Sequence, residues 1–270
     1  MIDILRNEFF RLKKSKTFWI MIGVLALLPL LGWAFTSIIL AGLLVTTGGM
    51  LGTVDISQIT VSSLSEMANI GTLPDLLGLI CAAVFLSKEF TDGTIRNAIL
   101  AAKSRSQIYF SYLIVALTIG LSMKVSYFLS TLVVYGSTFG FKTLSPFDAT
   151  MACITSFMLT ILCTLFVQTC TTMFLFVGKK QSTALIYPIL ITTFATGIIQ
   201  ALASVVDMIA GINGTYSEEW KTWIPLLNLS YFDAGAVDAR LFFKGAMYLA
   251  LFTALFVFVG RNAFAKADLK

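Results

Sequence analysis

The sequence has no histidine, and its 270 residues include only four cysteines. Without imidazole there can be no Ser-His nucleophile pair and no His-Glu metal motif. Cys81, Cys153, Cys163 and Cys170 are dispersed through apolar runs and not clustered at ligand spacing, so they read as small packing residues with no metal to hold. No G-x-x-x-x-G-K-[ST] phosphate loop occurs, so the chain does not bind ATP in that way. Any energy for work has to come from a partner chain or an ion gradient. Charge is scarce as well. Asp, Glu, Lys and Arg make up 12% of the residues, against about 25% in a soluble domain. Too few charges remain to cover a water-facing exterior, and the chain reads as an integral membrane protein.

The scarcity is concentrated. Residues 17–54, 149–178 and 181–206 contain no charge at all. A helix needs about 20 apolar residues to cross roughly 30 Å of hydrocarbon. Six spans follow, at residues 18–44, 68–87, 107–138, 149–177, 182–209 and 243–260. The alternation of a membrane β-barrel is absent, so the expected fold is all-α, a polytopic single domain over residues 1–270. The first apolar run is too long for a signal-peptide core and has no cleavage site before a polar domain, so it stays as the first span.

Placing the N-terminus in the cytoplasm puts fourteen of the nineteen basic residues on that side. They cluster at residues 6–16, 88–105, 179–180 and 261–270. The positive-inside bias then puts both termini in the cytoplasm, with the chain multi-pass in the cell membrane. The net charge of +5 reflects this orientation, and no nucleic-acid partner is implied.

Ahead of the first span, Ile2, Leu5, Phe9 and Leu12 share one helical face, while the charged residues lie largely elsewhere. That pattern predicts an amphipathic elbow helix over residues 1–16 in the lipid headgroup layer. It serves either as an anchor for the first span or as a mechanical elbow. The connection between the second and third spans, residues 89–105, is short, charged and amphipathic. Thr91 or Asp92 can cap a helix starting near Gly93 or Thr94. Ile95 and Ile99, one turn apart, are expected to form an exposed apolar ridge flanked by Arg96. From residue pattern alone, this is either an ordinary interfacial helix or a surface that receives a push from a soluble partner.

The outer connections differ in character. Residues 45–66 are rich in Gly, Ser and Thr and read as a mobile loop. Residues 211–242, with Trp220, Trp223 and Pro225, are too apolar for a free loop and predict a re-entrant hairpin in the outer leaflet. The sequons at Asn213 and Asn228 are short enough to arise by chance.

Ionisable residues within spans are functional candidates by default, and there are two, Asp75 and Lys124. Counted from the cytoplasmic ends they stand about 20 and 24 Å up consecutive helices. They either pair with one another or reach the outer interface separately, Lys124 by snorkelling. Pro29 and Pro188 are expected to bend their helices. Gly48-xxx-Gly52 and Gly136-xxx-Gly140 permit close helix contact near span ends. Tyr127, Gln168, Tyr187 and Gln200 carry polar groups into apolar helices, either to bond between helices or to line a cavity for an amphipathic cargo.

Several phrases carry a family resemblance, the tail Phe264-Ala265-Lys266-Ala267-Asp268-Leu269-Lys270 among them. The elbow reads Glu8-Phe9-Phe10-Arg11-Leu12 and Ser15-Lys16-Thr17-Phe18-Trp19. The connection reads Glu89-Phe90-Thr91-Asp92-Gly93-Thr94-Ile95-Arg96-Asn97, with Arg105 beyond. The outer segment reads Pro225-Leu226-Leu227-Asn228. Together with length and topology, these resemble the membrane subunit of an ABC-2 type (type V) ABC transporter over nearly the whole chain. The resemblance implies that Glu89, Phe90, Asp92, Gly93, Thr94, Ile95, Arg96, Asn97, Ile99 and Arg105 form a coupling helix that docks on a separate ATP-binding subunit. It also implies two ATPase copies that hold ATP and Mg, a second copy of this permease or a related one, and no cofactor or catalytic site in this chain. Small permeases with such a loop resemble exporters of antimicrobial or amphipathic peptides or of hydrophobic drugs. Export of an ion, lipid or glycan is the alternative. A non-transporting sensor or scaffold would have no ATPase partner, and a gradient-driven transporter would show inverted repeats that are not seen.

Overall fold

The computed structural model describes residues 2–46, 72–95, 99, 104–139, 146–210 and 239–266. Among them there is no strand. Helix α1 (Ile2–Lys14) is followed by α2 (Lys16–Thr46), α3 (Thr72–Thr91), α4 (Arg105–Phe139) and α5 (Pro146–Gly178). Next come α6 (Gln181–Ile189), a π-helical stretch (Leu190–Ala195), α7 (Thr196–Ala210) and α8 (Ala239–Lys266). The mobile loop expected at 45–66, the outer hairpin, and the Gly48 and Gly140 contact motifs lie wholly or mainly outside the described residues.

The break between α1 and α2 is a single residue, Ser15. Its backbone N–H donates to the Leu12 carbonyl at 3.0 Å, ending α1. Its hydroxyl accepts from the Phe18 N–H at 3.5 Å, so Ser15 caps α2. The Trp19 indole N–H donates to the Lys13 carbonyl at 2.8 Å and fixes the angle between the two helices. Pro188 lies at the end of α6, and the ladder widens into the π-helical stretch two residues later. A missing N–H commonly has this effect on a helix. Pro29 sits inside α2. Near it, the Ser126 hydroxyl donates to the Ile22 carbonyl at 3.4 Å and Ser130 donates to the Ala26 carbonyl, tying α4 to α2.

Among the described residues, four segments are long and apolar enough to cross a membrane: Lys16–Phe35, Arg105–Thr131, Ile161–Gly178 and Ala246–Lys266. The α4 and α5 segments are 61% and 67% buried, against 17% for those of α2 and α8. Helices α4 and α5 therefore form the centre, and α2 and α8 pack outside them, α2 on α4 and α8 on α5. Helix α3 touches both central helices.

In lipid, helices gain little from burying apolar surface, so close contact between small residues has to hold them together. Gly78 of α3 and Gly120 of α4 face each other, and the Gln168 side chain of α5 fills the notch between them. A Cβ on Gly120 would lie 2.7 Å from Gln168 Nε2 and 2.7 Å from Thr164 Cγ2. A Cβ on Gly78 would lie 3.1 Å from the same Nε2 and 3.3 Å from the Gly120 backbone. Both substitutions would push the helices apart. Gly120→Ala should lower stability by about 1–3 kcal/mol, read as a lower unfolding temperature in detergent. Adding Gln168→Ala should recover only part of that loss, because the Thr164 methyl still stands 2.7 Å from the new Cβ. Gly23→Ala, with nothing within 4 Å of the new methyl, should leave it unchanged.

Candidate functional site

Among the described residues, most basic side chains gather at one end of the bundle. Arg105, opening α4, donates from Nη1 to the Ala265 carbonyl of α8 at 3.1 Å, and Arg261 Nε donates to the Ser106 hydroxyl at 3.2 Å. The Phe176 ring, fully buried near the end of α5, binds the same end together. Its centroid lies 5.4 Å from Phe90 of α3, 5.2 Å from Tyr109 and 5.6 Å from Tyr112 of α4, and 4.6 Å from Phe264 of α8. The end of α1, the starts of α2 and α4, and the ends of α3, α5 and α8 thus form one basic face.

Beneath α1 lies a charged cluster. Arg11 Nη1 is 3.2 Å from Glu8 Oε1 on its own helix and also forms an ion pair with Glu89 Oε1 near the end of α3. Its guanidinium sits 5.6 Å from the centre of the Phe85 ring. The Thr94 hydroxyl donates to Glu89 Oε2 at 2.5 Å. Glu8 and Glu89 are both buried, at 3% and 4% exposure. Burial pushes the Glu8 carboxyl above its ordinary range, against the opposing charge and hydrogen bond of Arg11. Of the elbow residues, Leu12 is buried in the main core, and Leu5 and Phe9 pack against that core.

The structure redraws the segment after α3. Helix α3 runs on to Thr91, so Glu89 and Phe90 lie in its last turn. Thr91 does not cap a new helix. Its hydroxyl donates back to the Ser87 carbonyl at 3.1 Å, within α3. The chain then reverses at Gly93, whose φ of +69° suits glycine and few other residues. Ile95 is not exposed. It is 4% accessible and joins the core cluster that contains Leu12 and Leu86, with Ile99 packed against the same cluster. At a water boundary, two β-branched apolar side chains lose free energy by turning inward, and the Gly93 reversal allows it. Among the described residues of the turn, 91–94 form an exposed tip. Arg96 and Asn97 lie outside the described residues.

A second polar cluster lies deep between α3, α4 and α5. Lys124 Nζ is 2.8 Å from Asp75 Oδ2, with both side chains almost wholly buried. The Thr164 hydroxyl of α5 donates to Asp75 Oδ1 at 3.0 Å. One turn along α5 is Gln168, also fully buried, its amide set against Gly78 and Gly120. Of the two arrangements open to Asp75 and Lys124, the structure brings them together. Thr164 and Gln168 complete the polar surroundings. Their spacing of four, facing two intramembrane charges, was the available sequence signal. Tyr187 is half-exposed and stacks on Phe174 at 5.1 Å, and the Gln200 side chain lies outside the described part. Among the described residues no group of three or more Cys, Asp or Glu could hold a metal ion.

Asp75→Lys or Lys124→Asp alone leaves like charges buried together, and each should cost about 3–5 kcal/mol. Exchanging both should restore most of the folded yield and the unfolding temperature. Failure of the exchange to restore either would mean that the pair is not what holds these helices together.

No curated protein matches the chain. A model of the ABC-2 family transporter proteins matches residues 4–200. That stretch covers the elbow, the Glu89 turn and the Asp75–Lys124 pair. The chain therefore belongs to the ABC-2 transporter family, as a helical membrane protein of the kind that serves as an ABC transporter permease subunit.

Proposed function

We propose that the chain is the six-span permease of an ATP-driven exporter in the cell membrane, with its basic face and both termini in the cytoplasm. The observation that carries this reading is the construction of the α3–α4 turn. An exposed tip at residues 91–94 stands on a rigid base, locked to α1 through Glu89 and Arg11 and to the bundle through Ile95 and Phe90. A push on such a tip moves the ends of α3 and α4 and the elbow together and is not absorbed locally. The chain has no phosphate loop, so the push comes from a separate ATP-binding subunit. Two such subunits holding ATP and Mg, and two permease copies, complete the assembly. This favours the mechanical-elbow reading of α1 over a passive anchor.

The cargo class we favour is amphipathic or antimicrobial peptides or hydrophobic drugs, carried between the two permease copies. This rests on the likeness of the T-I-R-N loop to that of small peptide-exporting permeases. An ion, lipid or glycan cargo is the alternative within the same machinery.

Co-expression with the ATP-binding subunit tests the assignment. A stoichiometric complex should form, with ATPase activity that depends on this chain. Asp92→Arg, on the exposed tip, should weaken that complex about tenfold or uncouple hydrolysis from transport, leaving the permease folded. Ile95→Asp should instead lower the unfolding temperature of the permease alone, because it buries a charge. If Asp92→Arg and Thr94→Arg both leave binding and transport intact, the turn is not the docking element.

A further inference from the structure

At the junction of the elbow and the α3–α4 turn, two buried carboxylates share one guanidinium. Glu8 and Glu89 both bond to Arg11, and among the described residues no second cation is bonded to either. Among the described residues, the other groups in contact with them are neutral. The Thr94 hydroxyl serves Glu89, the Phe85 ring lies by the guanidinium, and the buried Tyr112 of α4 is close enough to feel both Glu8 and Arg11. Lys13 and Lys14 of α1 and Lys88 of α3 lie nearby in sequence but are exposed to water. With both carboxylates ionised, these three side chains carry a net charge of −1, and the carboxylates that carry the excess are the buried members, which burial disfavours.

We propose that Glu8 is a proton-binding site that locks the elbow helix onto the α3–α4 turn. The proton comes from the water at the basic face and binds the Glu8 carboxylate, leaving Arg11 to Glu89 and the cluster neutral. The two carboxylates are not equivalent. Glu89 has a second bond from Thr94, whereas among the described residues Glu8 has only the guanidinium it shares. The raised Glu8 carboxyl agrees with this choice.

The sign follows from linkage. The docked elbow holds the Glu8 proton more tightly than an elbow that has swung into water, where the group returns to an ordinary value near 4.5. Docking is therefore strongest at low pH and weakens as pH rises through the docked-state value. In a permease driven as proposed above, undocking the elbow would release one proton to the water on the basic side. The proton site itself rests only on the packing of α1 against the turn and requires no ATPase.

The test uses the full chain alone in nanodiscs, so its outcome is separate from whether an ATPase docks. Spin labels at the exposed positions Asn7 and Thr91, on a background with the four cysteines replaced, report the distance between α1 and the end of α3. The docked fraction should fall with rising pH along a one-proton curve spread over roughly two pH units. Glu8→Gln should remain docked across the whole range. Infrared difference spectra of the otherwise unsubstituted chain should show a protonated carboxyl band that is absent from Glu8→Gln and kept in Asp3→Asn. A pH-independent distance in the parent chain would overturn the proposal. So would loss of docking in Glu8→Gln at all pH values, because that would show the charged carboxylate to be the one required.

Discussion

Burying a charge without a partner is the cost that this structure is arranged to avoid. Among the described residues, four acidic or basic side chains are buried: Glu8, Asp75, Glu89 and Lys124. Each is held in an ion pair, two with Arg11 and two with each other. In a low-dielectric interior, breaking such a pair costs far more than the pair contributes when whole. The two clusters therefore act less as sources of stability than as constraints on which arrangements of helices are allowed. The deep pair sets α3 against α4, and the Arg11 cluster sets α1 against the end of α3.

Between the clusters, packing follows the rules of lipid. Gln168 fits a notch that exists only because positions 78 and 120 are glycine. At the basic end, Phe176 joins α3, α4, α5 and α8 through four aromatic contacts. Helices α3, α4 and α5 are thus held at two heights, by polar contacts deep in the bundle and by aromatic ones at its end. A unit tied in this way moves as one body. The elbow is attached differently, by one apolar face on the core, the Trp19 bond to Lys13 and one shared arginine.

Much of this was legible before any coordinate. The long uncharged runs predicted helices, the spacing of Ile2, Leu5, Phe9 and Leu12 predicted the amphipathic α1, and the isolation of Asp75 and Lys124 marked them as residues that needed a partner. The turn at residues 89–99 was harder to read. Charge near Ile95 and Ile99 suggested a ridge facing water, yet both side chains turn inward. One-dimensional amphipathicity cannot say which side of a short segment meets the bundle when that segment reverses at a glycine. Arg11 was equally opaque. Its i,i+3 relation to Glu8 was visible, but its bond to Glu89 spans a separation that no local pattern reports.

Composition and periodicity by themselves determined that this chain lives in a membrane, that it is helical, that it has no phosphate loop, and which end of its helices carries positive charge. These properties depend on each residue's own transfer free energy and on its near neighbours along the chain, so a linear reading captures them. Only the tertiary structure decided that Asp75 bonds Lys124 and Thr164, that Gln168 sits on two glycines, and that Arg11 is divided between two carboxylates. Those outcomes turn on which helices pack side by side and at what height, and packing is a property of the assembled bundle.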